Sequence, residues 1–375
     1  MRKFVSCLGV AALGLALAAT PAQAAEGVVL AAGSPTAIPG SYIVKVKAEV
    51  KGGGDRLAAS VGGRALSGAF AGFTATLTEK QARRLAADPS VEYVEQNQVV
   101  HGTATQLNPP WGLDRTDQRA LPLDHAYSYT SSGRGVNVYV IDTGIRKTHI
   151  DFGGRARDGW DFVDNDAIAD DLNGHGTHVA ATAIGTTYGI AKQAVCYGVK
   201  VLGPTGSGTT AGVIAGVNWV TRNAVRPAVA NMSIGGSAST AMDDAVRASI
   251  ASGVTYTVAA GGSNADVANF SPARVAQALT VGASTITDTR ASSSNYGPGV
   301  DIYAPGQQIL SAWNTSDTAS NTLSGTSMSA PHVAGVAARY LQNNPTATPA
   351  QVSAAIVAAG TPVSFGKILY WDPAL

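Results

Sequence analysis

Three side chains of this sequence are of types that act together on a carbonyl group: a carboxylate, an imidazole and a hydroxyl. Asp142 ends the apolar run VNVYVID (136–142) and is followed by Thr-Gly, a turn. His175 stands in NGHGTHVAATAIG (173–185), with a glycine on each side that lets the backbone turn tightly. Ser327 lies in SGTSMSAPHVAGVAARYL (324–341), where a helical stretch begins, with Pro331 expected in its first turn. Backbone N–H groups at a helix N-terminus are unpaired and favour developing negative charge. A hydroxyl placed there can attack a carbonyl beside an oxyanion donor, while an imidazole takes its proton and a carboxylate orients the imidazole. Each residue also has a plainer use. Asp142 could cap the next element, and Ser327 could be an N-cap. His175 could be a solvated or core histidine, or pair with His178 on a metal. A zinc site needs further ligands at suitable spacing, and none stands nearby. No G-x-S-x-G surrounds Ser327, which weighs against a lipase or esterase elbow.

The elements that must hold these residues are legible as alternation. Strand-like runs at 136–142, 229–234, 254–260 and 278–283 alternate with helical stretches at about 176–186, 210–224, 240–252 and 328–343. That order predicts an α/β domain with a mostly parallel sheet and helices on both faces. Sites in such sheets lie beyond the carboxyl ends of strands, where Asp142 falls.

The front of the chain has another composition. Arg2 and Lys3 precede an apolar run to Ala19, followed by Pro21 and Ala22-Gln23-Ala24, which is the pattern of a secretory signal cleaved after Ala24. From Ser41 the order strand, Gly-rich turn at 52–54, strand (70–78), helix (79–87), strand (91–100) predicts a small α/β module. The polar segment HGTATQLNPP (101–110) reads as a processing linker.

Composition narrows the chemistry. The 375 residues carry 26 Lys+Arg against 25 Asp+Glu, a net charge of +1 that argues against a nucleic-acid footprint or a polybasic membrane surface. Only 14% of residues are charged and 45% are hydrophobic, so there is ample apolar area to bury. After Glu95 there is no glutamate at all: residues 104–375 have 18 Asp as their only carboxylates, against 16 Lys+Arg. An H-E-x-x-H zinc protease and the zinc deaminases, both of which need a glutamate, are thereby excluded. Of the two cysteines, Cys7 would leave with the signal, and Cys196 lies in the β-branched run AVCYGVKVL as a buried thiol.

On VIDTG, HGTHVA and GTSMSAPHVAG, and on the chain order Asp, His, Ser, the sequence resembles the subtilases, in their proteinase K-like branch, with an aqualysin-like pattern. The resemblance implies a signal peptide (1–24), a propeptide (25–103) with a ferredoxin-like α+β inhibitor and chaperone module at about 40–101, and a subtilisin-like three-layer peptidase domain (104–375). It implies a secreted serine endopeptidase, made as an autoprocessed zymogen, with Asp142, His175 and Ser327 as charge-relay residues and no catalytic metal. Gly206, Ser207 and Gly208, and Ser233, Ile234 and Gly235, match the edges that pair with a substrate bound as an extended strand. Structural calcium is implied twice, at Asp114, Asp117 and Gln118 and at Asp301 with the carbonyls of Ala276 and Ala278. The partners implied are protein or peptide substrates and the chain's own propeptide as a transient inhibitor. No nucleic acid and, after signal cleavage, no membrane is expected, and the enzyme is expected to be a monomer.

The sequence departs from the pattern in three places. Leu172, Pro204, Ala268 and Gly299 stand where the aqualysin-like pattern has cysteines, so two disulfides are missing together. Ala181 replaces a usual glycine. Gly262 stands where the family has the asparagine that donates to the oxyanion, with Ser263 and Asn264 beside it as substitutes if the loop shifts. Gly262 keeps open an alternative, a secreted pseudoprotease or binding module. An esterase using the same three residues is a further rival.

Overall fold

In the computed structural model the described residues are 25–34, 37–48, 53–66, 68–98 and 104–372. The expected signal segment lies outside them. The chain divides into two units, residues 1–100 and 101–375.

In the larger unit, alternation along the strands sorts side chains onto two faces. Strand β1 (Asn137–Asp142) sends Val138 and Val140 into one apolar cluster and Tyr139 and Ile141 into the other. Around it lie β2 (Ala156–Asp161), β3 (Val195–Lys200), β4 (Ala228–Met232), β5 (Thr255–Ala259), β6 (Leu279–Ser284), β7 (Ile302–Pro305), β8 (Thr361–Val363) and β9 (Gly366–Ile368). They form one nine-stranded sheet in the order β8-β9-β7-β6-β5-β4-β1-β3-β2. Every pairing is parallel except the terminal β8–β9 hairpin. The first face packs against α1 (His175–Ile184), α4 (Thr326–Asn343) and α5 (Pro349–Ala359) through Val179, Val333 and Ile356. The second packs against α2 (Thr210–Asn223) and α3 (Thr240–Ala251) through Val217 and Val246. Each fully buried side chain of this size contributes roughly 1.5–3 kcal/mol. Coverage on both faces explains why every residue of β4 and β5 is buried. Cys196 is fully buried in β3, where burial pushes its thiol pKa up.

Two local expectations need correction. Pro331 is the sixth residue of α4, within the second turn rather than the first. A proline there has no N–H for the carbonyl four residues back, which is that of Ser327. Ser233 Oγ donates to that carbonyl at 2.6 Å instead, so the helix tolerates the proline. In the smaller unit, the Gly-rich stretch expected as a turn begins a helix, Gly53–Ser60, whose Ala58 is buried against the sheet. Packing of that apolar side chain overrides the low helix propensity of glycine.

That smaller unit is a five-stranded sheet in the order Val29–Leu30, Val91–Gln98, Ala37–Val46, Gly72–Thr76, Arg64–Leu66, with a second helix at Glu79–Ala86. The helix starts with a capping box, Thr78 bonding the Gln81 N–H while the Gln81 side chain returns the bond. Its Ala82 and Leu85 join Val44, Phe73 and Val94 in one core.

Candidate active site

Asp142 ends β1 and is fully buried. Its Oδ1 accepts hydrogen bonds from the Thr143 N–H and from His175 Nδ1, both at 2.7 Å. His175 is the first residue of α1, behind Gly174 at φ 113°, a left-handed conformation that favours glycine. Gly176 has a different reason: a Cβ there would come within 2.1 Å of the Gly144 carbonyl oxygen. The helix start therefore approaches the turn after Asp142 closely enough for imidazole to reach carboxylate. Burial by itself lowers the imidazole pKa. The charge of Asp142 and its hydrogen bond outweigh that, so His175 titrates above the ordinary imidazole range.

Ser327 is the second residue of α4, behind Gly325 as the cap, so it is not itself an N-cap. Its Oγ donates to the Ser233 carbonyl at 3.0 Å. Ser233 Oγ in turn accepts from Asn231 Nδ2 at 2.9 Å, and Asn231 Oδ1 accepts from Thr257 Oγ1 at 3.0 Å. Reciprocal bonds between residues 233 and 327 thus tie the first turn of α4 to the end of β4. The hydroxyl donates to this carbonyl, and its O–H must turn towards the imidazole before proton transfer.

His175 and Ser327 share a cleft of ≈ 890 Å³. Gly206, Ser207 and Gly208 line it, as do Ser233, Ile234 and Gly235, while Gly262 and Ser263 sit on its rim by β5. Among the described residues no Asp, Glu, Lys or Arg lines it. Asn264 is not among its lining residues: its Oδ1 accepts from Arg290 Nη2 at 2.9 Å.

The expected calcium loop forms a short helix, Trp111–Thr116, and the turn after it. Asp114 Oδ2 accepts from the His125 N–H at 3.0 Å and Asp117 Oδ2 from the Ser128 N–H at 2.6 Å. The other oxygen of each, Oδ1, is buried with no hydrogen-bond partner among the described residues. Burial raises the pKa of Asp114 and pushes Asp117 up to about 7. The sequence reading missed Asp124, which faces both. It lies beyond the motif, and only the chain's return past Gln118, whose Oε1 accepts from the Asp124 N–H at 3.2 Å, brings it in. No three carboxylate, imidazole or thiol groups among the described residues form a ready ligand set, so backbone and amide oxygens would have to complete the coordination. Two orphaned carboxylate oxygens in a buried loop fit a hard cation. At the second position Asp301 Oδ2 accepts from the Thr280 N–H at 2.7 Å, Ala278 precedes β6, and burial pushes Asp301 up to about 6.

Residues 133–367 match the model of the Subtilase family, and residues 63–102 match that of the Peptidase inhibitor I9 family. The chain is 54% identical over 305 residues to "Alkaline serine exoprotease A" of Vibrio alginolyticus, covering 80% of this chain and 56% of that protein, little more than half its length. It is 54% identical over 294 residues to "Extracellular serine proteinase" of Thermus sp. (strain Rt41A), covering 78% of this chain and 72% of that one. The crystal structure of "a cold adapted subtilisin-like serine proteinase" superposes with a TM-score of 0.69 at 54% identity, covering 72% of this chain and 99% of that chain.

Proposed function

The chain belongs to the subtilase family of serine endopeptidases, and on that premise we propose that it is a secreted zymogen that hydrolyses proteins through an acyl-enzyme on Ser327. The supporting observation is the 2.7 Å bond from His175 Nδ1 to buried Asp142, with His175 and Ser327 in one cleft. Nδ1–H held by Asp142 leaves Nε2 as the base. Ser327 Oγ attacks the peptide carbonyl as His175 takes its proton, and the Ser327 N–H at the helix start donates to the oxyanion. The amine leaves with the proton from His175, and water then repeats the cycle on the acyl-enzyme. The 206–208 and 233–235 segments would pair with an extended substrate on either side by backbone hydrogen bonds. Because no carboxylate, ammonium or guanidinium among the described residues lines the cleft, neutral segments of many sequences should bind. Residues 1–24 act as the export signal, residues 25–103 as chaperone and transient inhibitor, and residues from 104 as the monomeric enzyme. Among the described residues no helix is long and apolar enough to cross a membrane.

A fluorophosphonate probe tests the assignment: the label should be found on Ser327, and a label elsewhere or none would overturn it. The pH profile follows from His175. The base must be neutral, and its pKa is raised, so kcat/KM should fall about tenfold per unit below a limb lying above about 6.5. Initial rates on a neutral peptide amide between pH 5 and 9 check this, and a limb below the ordinary value would contradict the coupling to Asp142.

Calcium belongs to this reading as a structural ion. Asp114 and Asp117 would hold it, with backbone and amide oxygens completing the coordination, and it would neutralise buried carboxylates and cross-link the loop without touching the cleft. The four positions lacking cysteine leave the chain without the two disulfides of the aqualysin-like pattern. Chelation should therefore lower Tm by on the order of 10 °C. The sign of its pH dependence is set by the raised carboxylate pKa values. Without the cation, Asp114 and Asp117 bind protons more readily folded than unfolded, so acid relieves the cost of burying their charge, and the chelator effect should shrink as pH falls from 7 to 5. Calorimetry with and without chelator at the two pH values measures both.

Gly262 supports one other reading, a secreted protein that keeps this fold without turnover, because the rim carries no amide side chain at that position.

A further inference from the structure

Asp171 is 6% exposed and takes no part in the reaction steps above. Its carboxylate accepts five hydrogen bonds. Oδ1 receives Thr143 Oγ1 at 2.8 Å and the N–H groups of Asn173 and Gly174 at 2.9 and 2.8 Å. Oδ2 receives the Thr177 N–H at 2.9 Å and Thr177 Oγ1 at 2.6 Å. Thr143 directly follows Asp142, and its Oγ1 also accepts from the Gly176 N–H at 2.9 Å. Gly174, Gly176 and Thr177 bracket His175 at the start of α1. A single carboxylate therefore grips the turn that carries Asp142 and the helix end that carries His175. The adjacent Asp170 is different, being largely exposed and paired with Lys147 at 3.2 Å.

We infer that Asp171 is a positioning residue for the proton relay, holding the Asp142 turn and the His175 helix start in one register through Thr143 and Thr177. The inference rests on the hydrolase reading above. An anion at a helix N-terminus is favoured by the unpaired N–H groups there, and the Asn173, Gly174 and Thr177 N–H groups meet the Asp171 carboxylate in that way. Its charge adds to that of Asp142 in raising the imidazole pKa. The other titratable group close to His175 is His178, whose pKa burial pushes down to about 4, so it is neutral in the working range.

Asp171→Asn keeps the shape but turns an NH2 towards N–H donors. After active-site titration, kcat should fall on the order of 10²-fold, the scale of a misplacement near 1 Å, with KM changed less than about twofold. The acidic limb should move to lower pH, because a charge that raises the His175 pKa is gone. A merely structural role would lower Tm and the titratable fraction but leave the limb in place. Thr143→Val is the second variant: it cuts the link to the Asp142 turn and leaves the anion, so kcat should fall while the limb stays. Wild-type kcat in folded Asp171→Asn with an unmoved limb overturns the inference. If Asp171→Asn does not fold, undiminished kcat in Thr143→Val overturns it equally. Should the wild type show no turnover, the hydrolase reading fails, and the His175 imidazole titration by NMR, wild type against Asp171→Asn, still reads the charge of Asp171: an equal pKa in both refutes it.

Discussion

Secreted Ser327→Ala is expected to keep its propeptide, while the wild type releases a fragment beginning near Ala104. Intact mass of the two products measures this directly. Turnover on a peptide amide should fall by on the order of 10⁶, the scale of nucleophile removal in subtilisin, a relative of this chain. The structure separates this loss from unfolding. The substitution removes the bond from Ser327 Oγ to the Ser233 carbonyl, worth about 1 kcal/mol. The bond from Ser233 Oγ to the backbone carbonyl of residue 327 survives. Tm should therefore change by only a few degrees. Equal masses for wild type and variant, both beginning near residue 25, would overturn the protease reading.

Gly262→Asn should raise kcat by roughly 10²–10³ with KM nearly constant, since a donor aimed at the oxyanion acts in the transition state and little in the ground state. The position accepts the side chain. A Cβ on Gly262 meets no heavy atom within 4 Å, whereas Gly261 beside it has φ +99° and a Cβ there would come within 2.5 Å of Asn295 Nδ2. Of its neighbours, Asn264 does not line the cleft and its Oδ1 accepts from Arg290, while Ser263 lines the cleft with its N–H taken by Asn295 Oδ1 at 2.9 Å. Steady-state kinetics of the two proteins decide among three outcomes. A large gain means that the wild type works on the backbone donor with one side-chain donor missing. No gain in an active enzyme means that another group already serves. Activity appearing only in the variant would make the wild type the pseudoprotease of the alternative reading.

Much of this was legible because its cause is local. Apolar runs of strand length, such as 136–142 and 278–283, and the helical stretches between them mark a sheet covered on both faces, and β1 to α4 follow that pattern closely. The three candidate residues were equally legible, since His175 and Ser327 stand where a glycine leads into a helix and Asp142 ends a strand before a Thr-Gly turn. Gly53–Ser60 was not, because glycines at its start read as a turn until the sheet supplies a surface for Ala58. Asp124 and Asp171 were missed for a related reason. Nothing in their immediate sequence distinguishes them from other surface-type aspartates, and their partners are brought to them by the fold: Thr143 lies 28 residues from Asp171 along the chain.

Residue types, spacing and order alone pointed to the α/β class, the family resemblance and the candidate trio Asp142, His175 and Ser327, because turn chemistry and side-chain period act over a few residues. Tertiary packing decided where the Ser327 hydroxyl points, how Pro331 is tolerated, and which aspartates are buried with an oxygen unpaired. Those outcomes depend on distances and desolvation between segments far apart in the chain. The Ser233 carbonyl that receives the Ser327 hydroxyl, for example, lies 94 residues away.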